Sequence, residues 1–155
     1  MSDTDKSPEG RAPEERAPEE TAPEESGRFS ALAVDECLEL LRTHQIGRIG
    51  WQGSEGPTIL PVTYLVHAGR VLFRTSADGV LAELERGGEV AFEVDDFDLD
   101  TQTGWSVVVR GGAAAPVDLR DVPGGLPEPW AGGARDQVIC LSIERITGRI
   151  VSRGD

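Results

Sequence analysis

From residue 48 onward the chain repeats one pattern, in which short apolar or alternating runs are separated by Gly-rich turns roughly ten residues apart. Alternation with a period of two is typical of strands that have one buried face. The predicted strands are residues 48–52, 58–67, 70–75, 90–95, 105–118, 137–145 and 148–152. Because a small open sheet would leave its edges exposed, the pattern predicts a mainly β protein with a closed or partly closed antiparallel barrel.

Two short helices are predicted beside the strands. Val34, Cys37, Leu38 and Leu41 recur at the spacing of one buried helical stripe, and Gly47 marks the end of that helix. A second helical segment, residues 79–86, follows the third strand. Residues 121–134 hold three prolines and four glycines, which indicates a loop without regular structure.

The first 28 residues differ in composition from the rest of the chain. They contain four of the ten prolines and nine acidic against four basic residues, and a five-residue unit repeats there as RAPEE, RAPEE and TAPEE. Such a segment cannot bury a core, so we expect an acidic, Pro/Glu-rich disordered tail at residues 1–28. It would act as a solvated spacer or as a docking or solubility tail. Residues 29–155 are then one folded domain.

Charge and cysteine content exclude several classes of function. The formal charge is −13, which disfavours nucleic acid and anionic lipid as partners, so any phosphate needs a local site. Lys6 is the only lysine and lies in the tail, which removes Schiff-base chemistry with pyridoxal phosphate from the folded domain. Two cysteines and two histidines suit neither a disulfide framework nor a zinc site, and we expect both cysteines to be buried. Without a membrane span or signal peptide, a cytoplasmic location is expected.

A candidate phosphate site lies where the third strand ends. Arg74, Thr75 and Ser76 come together just before the second predicted helix. A guanidinium, two hydroxyls and the amides of a helix start can converge there on an anion. The alternative is an ordinary strand end with a Ser/Thr turn.

A second candidate segment is TGWSVVVRG, residues 103–111. Trp105 lies on one face of this strand and Ser106 on the other. The indole offers a rigid plane that could border a flat heteroaromatic ring, with the Ser106 hydroxyl nearby as a hydrogen-bonding group. The alternative for the tryptophan is simple core packing.

Six motifs in order carry a resemblance to a known family. They are IGRIGW (46–51), PVTY (61–64), FRTS (73–76), VAFEVDDFD (90–98), TGWSVVVRG (103–111) and TGRIV (147–151). Over residues 30–152 the chain resembles the pyridoxamine 5'-phosphate oxidase-like flavoproteins, especially their short actinobacterial members. The resemblance implies a split β-barrel homodimer with two FMN sites at the subunit interface, working as a flavin-dependent oxidoreductase on a small-molecule redox substrate.

The same resemblance assigns residues to the cofactor, but none to catalysis. Val62, Thr63 and Tyr64 would line the isoalloxazine, partly through backbone groups. Arg74, Thr75 and Ser76 would bind the phosphate, and Trp105 and Ser106 match the strand that closes over the ring. Trp130 and Arg135 belong to a loop that could reach the site.

One position departs from the family pattern. Members usually carry a basic residue early in the helix after the phosphate strand, whereas this chain has Asp78, Gly79, Val80 and Leu81 there. Either Arg74 and the helix amides suffice, or another arginine substitutes, or flavin binding has been lost. The alternatives are the same fold with a deazaflavin or haem, and a non-catalytic flavin-binding or interaction dimer.

Overall fold

The computed structural model describes residues 28–114, 120, 122, 124–130 and 132–153. Its elements, in chain order, are β1 (Arg28–Ala31), α1 (Val34–Thr43), β2 (Ile46–Gly53), β3 (Gly56–His67), β4 (Arg70–Thr75), a 3-10 helix (Val80–Arg86), β5 (Glu89–Asp98), β6 (Thr103–Ala114), β7 (Gln137–Ser142) and β8 (Arg145–Ser152). The predicted tail lies outside the described residues except for Arg28, which begins β1.

The strands form a split antiparallel barrel, which confirms the predicted mainly β fold. Their order is β1–β8–β6–β5–β2–β3–β4–β7, and a further pairing between β6 and β7 closes the ring. β6 therefore has three neighbours, because it pairs with β5 along its length, with β8 in its first part and with β7 at its end. β8 pairs with β6 and β1 pairs with β8, so these two strands lie outside the closed ring.

The barrel interior holds the apolar side chains of the alternating strands. Tyr64 and Phe92 meet there edge to face, with ring centroids 4.8 Å apart. α1 covers one end of the barrel and buries Cys37 and Leu41. Cys140 is also buried, so both cysteines are free core residues, as predicted. The described helices include none with the length and apolar character needed to cross a membrane.

Gly111 lies where β6 passes from β8 to β7. Arg110 is the last residue of β6 that pairs with β8, and Ala113 is the first that pairs with β7. The connection between β7 and β8 crosses β6 at this point, and the Glu144 amide donates to the Arg110 carbonyl at 3.2 Å. A Cβ on Gly111 would overlap the Ser142 carbonyl oxygen, far inside the 3.0 Å limit that real Cβ atoms respect. The crossing therefore requires glycine.

Over residues 57–63, the edge of β3 that faces away from β2 has no ladder partner among the described residues. The Tyr64 amide donates to the Gln45 carbonyl at 2.9 Å, and antiparallel pairs alternate between bonded and non-bonded positions. The register then places Pro57 and Pro61 where the backbone points away from β2. On that side, the described ladder with β4 covers only residues 64–67. A strand edge tolerates proline because no ladder N–H is lost there.

The structure differs from the sequence prediction in several elements, and Gly47 lies within β2 rather than at the end of α1, which ends at Thr43. A short strand, β1, precedes the helix that was expected to open the domain. The predicted strand 137–145 is two strands, because the chain turns at Ile143 and Glu144 without any glycine, proline or asparagine to mark the turn. The predicted strand 105–118 begins at Thr103 and is described to Ala114, and residues 115–118 lie outside the described residues.

Tyr64 should make stability fall at high pH. It is the only tyrosine, its ring is 1% exposed, and its hydroxyl donates to the Leu41 carbonyl at 2.6 Å. Burial raises the pKa of Tyr64 well above its usual value near 10. The unfolded chain loses this proton above about pH 10 while the folded chain keeps it, so stability should fall by about 1.4 kcal/mol per pH unit in that range.

The matched comparison is Tyr64→Phe. We expect urea unfolding of the wild type to lose about 1.4 kcal/mol more between pH 8 and pH 11 than unfolding of the variant. Ionisation of Cys37 and Cys140, whose pKa values are also raised by burial, is common to both proteins and cancels. Equal pH dependence in the two proteins would contradict the assignment.

Candidate functional site

A cavity opens where β3 and β4 separate. Ladder pairing of these strands ends at Tyr64 and Phe73, and the next residue on each strand, Thr63 and Arg74, lines the cavity. Its volume is about 510 Å³, within the range of small-molecule sites. The remaining walls come from β2, β3, the 3-10 helix and the loop before β7: Ile46, Leu60, Pro61, Val62, Leu81, Pro129, Trp130 and Arg135.

The walls are mostly apolar, with positive charge at two points. Of the ten described residues that line the cavity, the two charged ones are Arg74 and Arg135, and none is acidic. This is a local reversal in a protein whose formal charge is −13. An apolar surface with two guanidinium groups suits a ligand that joins a flat apolar part to an anionic group.

Arg74 is held in place by the alternation of β4. Val71 and Phe73 point into the barrel, so Leu72 and Arg74 share the opposite face. Arg74 is half-buried beside Val138 of β7, its register partner. Its Nε is buried and has no hydrogen-bond partner among the described residues. Because a buried unpaired donor costs about 1–3 kcal/mol, this atom is a candidate to meet an acceptor on a ligand.

Thr75 and Ser76 lie beyond Arg74 but do not line the cavity wall itself. Thr75 is 1% exposed, and its hydroxyl makes only a long contact of 3.5 Å with the Ser76 carbonyl. Both hydroxyls converge on Gly79, where an added Cβ would be 2.7 Å from Ser76 Oγ and 3.3 Å from Thr75 Oγ1. Glycine therefore leaves a small polar cradle at the end of β4.

The helix that was expected to supply amides to this cradle offers a poorer anion-binding site than predicted. It is a 3-10 helix of seven residues, Val80–Arg86. A helix this short has poorer hydrogen-bond geometry and little summed dipole. Any anion held at the end of β4 must therefore depend chiefly on side chains.

Val62 and Thr63 line the cavity, whereas the Tyr64 side chain does not. Val62 is buried and lines the cavity, while the Tyr64 side chain lies in the core, bonded to Leu41. Tyr64 is therefore not among the described residues that line the cavity, and its amide is already bonded to the Gln45 carbonyl. Thr63 is half-buried and contributes its side chain and the outward-facing backbone of the open β3 edge.

Trp105 and Ser106 do not join the cavity. The Trp105 ring packs against His44 at the end of α1, with centroids 4.7 Å apart. Ser106 is buried on the other face of β6, in a groove of about 200 Å³ that it shares with Arg110, Thr147 and Arg149. Within one chain, these two residues and Arg74 therefore cannot contact the same small ligand.

Several cavity residues were not predicted from the sequence. Ile46, Leu60, Pro61, Leu81 and Pro129 line the cavity but look in the sequence like ordinary strand, helix or loop residues. Trp130 and Arg135 did carry a signal, since an exposed aromatic and a cation in a loop without regular structure are typical of binding loops. No group of His, Cys, Asp and Glu residues suited to a metal ion occurs in the described part of the chain.

Comparisons with known proteins agree with the fold. A family model described as pyridoxamine 5'-phosphate oxidase matches residues 33–150. The uncharacterised protein Rv0080 of Mycobacterium tuberculosis is 38% identical over 126 residues, which cover 76% of this chain and 83% of that protein.

Two solved structures share the fold over most of this chain. The FAD-binding protein of Mycobacterium smegmatis is 29% identical, with a TM-score of 0.61, and the match covers 79% of this chain and 98% of that one. A candidate pyridoxamine 5'-phosphate oxidase of Corynebacterium glutamicum is 27% identical, with a TM-score of 0.65, and covers 82% and 96%.

Proposed function

Because the chain belongs to the pyridoxamine 5'-phosphate oxidase family, whose model matches residues 33–150, we propose that it binds FMN and acts as a flavin-dependent oxidoreductase. The observation that carries the proposal is the cavity between β3 and β4, whose apolar walls end at Arg74 with a buried, unpartnered Nε. The FAD-binding relative from Mycobacterium smegmatis supports a flavin as the ligand class.

The apolar walls suit the flat ring system. Ile46, Leu60, Val62 and Leu81 offer contact surface, and Trp130 lies at the cavity with 84% of its side chain exposed. An exposed indole beside an apolar cavity can stack on an aromatic ring at little entropic cost. The outward-facing backbone of Thr63 would supply directional hydrogen bonds to the polar edge of the isoalloxazine.

The end of β4 carries groups that suit the phosphate of FMN. Arg74 would donate to phosphate oxygens from a guanidinium whose Nε lacks a protein partner. Ser76, and Thr75 to a lesser extent, would add hydroxyl donors beside Gly79.

The chemistry of such a site comes from the cofactor. A bound flavin supplies hydride or single-electron transfer, and the protein sets its orientation and the polarity around it. The chain's own contribution here is to bind the ring between apolar side chains, hold the phosphate through Arg74 and exclude water from the cavity walls. We assign no catalytic side chain, and the redox substrate would be a small molecule that reaches the ring through the cavity opening.

We also propose that the working unit is a homodimer. If Trp105 and Ser106 contact the flavin, as the family resemblance implies, they must do so across a subunit interface, because within one chain they face away from the cavity. The exposed apolar side chains of Ile46 and Ile59 support a second copy at this face.

The site favours flavin over haem. Haem iron in proteins is usually held by His, Cys, Met or Tyr. None of these is among the described residues that line the cavity. A deazaflavin shares the ring shape and phosphate of FMN, so binding experiments must separate the two.

The proposal predicts that FMN binds with a stoichiometry of one per chain. Titration of the purified protein with FMN, followed by flavin fluorescence, should saturate at that ratio. Light scattering of the loaded protein should give a particle of twice the 16.6 kDa chain mass. Parallel titrations with FAD, a phosphorylated deazaflavin and haemin measure which of these cofactors binds most tightly. A protein that takes up none of the flavins would refute the proposal. Tighter binding of the deazaflavin than of FMN would identify the deazaflavin as the cofactor instead.

A further inference from the structure

The segment that follows β4, at the phosphate end of the proposed FMN site, carries no positive charge. Residues 76–81 include one acidic residue, Asp78, and no basic residue. A phosphate monoester carries a charge of about −1.5 to −2 at neutral pH. Arg74 alone would leave about half of that charge uncompensated, and Asp78 would add repulsion.

A second cation reaches the same cavity from the loop before β7. Arg135 is half-buried and lines the cavity together with Arg74. The register explains this placement, because β7 pairs with β4 through Gln137↔Thr75 and Val138↔Arg74. Continued by two residues, the antiparallel register brings Arg135 level with Ala77, just past the end of β4.

The loop that carries Arg135 is anchored against the sheet. Val122 and Leu126 are buried in a small apolar cluster with Leu72 and Val138, the residues that flank Arg74 on β4 and β7. Packing of this cluster holds the loop against β4 and β7 where the loop reaches the cavity. The position of Arg135 is thus tied to the strand that carries Arg74.

Resting on the proposed function, we infer that Arg135 is the second cation of the phosphate site and supplies the positive charge that residues 76–81 lack. One guanidinium group comes from β4 and the other from the loop that leads into β7, and no acidic side chain lies among the described residues that line the cavity. Lys6 is the only lysine of the chain, so an arginine is the only permanent cation that the folded domain can supply. The site is therefore built for a phosphate dianion, held between β4 and the loop before β7.

The test compares FMN with riboflavin, which has the same ring but no phosphate. Arg135→Ala should raise the Kd for FMN by about five- to tenfold, less than a fully buried charged contact because Arg135 is partly hydrated. The Kd for riboflavin should change by less than about twofold. Arg135→Gln, which is shorter and neutral but keeps a polar amide, tests the loss of the guanidinium if the alanine variant folds poorly. Arg70→Ala, an exposed arginine at the far end of β4, is the matched control.

A compensating variant tests the position as well as the charge. Val80 is 59% exposed, so lysine is tolerated there. In the Arg135→Ala background, Val80→Lys should recover at least half of the lost FMN affinity without changing riboflavin binding. Equal losses for FMN and riboflavin, or a loss no larger than that of Arg70→Ala, would overturn the inference while leaving flavin binding intact. Failure of the wild type to bind any flavin would instead overturn the proposed function.

Discussion

Replacing Gly111 with alanine is expected to lower the free energy of unfolding by at least about 3 kcal/mol, and the Tm by about 10 °C, or to prevent soluble expression. The added Cβ would overlap the Ser142 carbonyl oxygen, which is backbone and cannot rotate away. To relieve the overlap, the β7–β8 connection must move off β6, which breaks the bond from the Glu144 amide to the Arg110 carbonyl. The barrel closes at this crossing, so the strain falls on the whole fold.

Gly112→Ala is the matched control for this prediction. The neighbouring glycine lies in the same strand, and a Cβ there would meet only Glu144 Oε1, at 3.6 Å. Both substitutions reduce the entropy of the unfolded chain equally, by a stabilising amount of about 0.4–1 kcal/mol. Chemical denaturation should therefore show a large loss at position 111 and a change within about 1 kcal/mol at position 112. Similar losses in the two variants would show that the crossing does not restrict side-chain size.

Removing the guanidinium of Arg74 should weaken FMN binding by about ten- to a hundredfold, the loss expected when a charge-assisted hydrogen bond of about 1.5–3 kcal/mol is removed. Riboflavin binding should change by less than about threefold, since the ring contacts remain. Flavin fluorescence titrations of wild type and Arg74→Ala with both ligands measure the difference. Equal losses for the two ligands would refute a phosphate-binding role for Arg74.

The same variant should not lose stability in the absence of ligand. Arg74→Ala removes a buried Nε that has no hydrogen-bond partner among the described residues, which relieves a desolvation cost. The Tm of the flavin-free variant should therefore equal or exceed that of the wild type. Arg70→Ala, at the exposed far end of the same strand, should leave FMN affinity unchanged. A large drop in stability on Arg74→Ala would identify the residue as structural.

Much of the fold could be predicted because each strand carries its own signal. The alternating run of β3 and the Ala68–Gly69 turn into β4 follow local rules, and both lie where predicted. The turn at Ile143 and Glu144 does not, because tertiary contacts with β6 impose it rather than turn-forming residues. The sequence carries no local signal for β1 either, because its four residues form a strand only by pairing with β8.

The candidate site was predictable in part, for a similar reason. Thr63 and Arg74 belong to adjacent strands, so a hairpin prediction already brings them together. Arg135 is about sixty residues further along the chain, and only the pairing of β7 with β4 places it at the cavity. Trp105 carried a plausible signal for ring stacking, but its packing against His44 depends on how α1 docks, which no local pattern encodes.

The prolines of β3 bear on how this protein avoids self-propagating strand addition. An unpaired strand edge is a template on which an identical edge from another molecule can polymerise. Pro57 and Pro61 remove every second outward-facing donor, so Ile59 and Thr63 are the outward-facing amide donors left between residues 57 and 63. A docking strand would find too few donors to form a continuous ladder, whereas a small ligand needs only one or two. The edge beside the cavity can thus stay exposed on a newly folded chain without seeding aggregates.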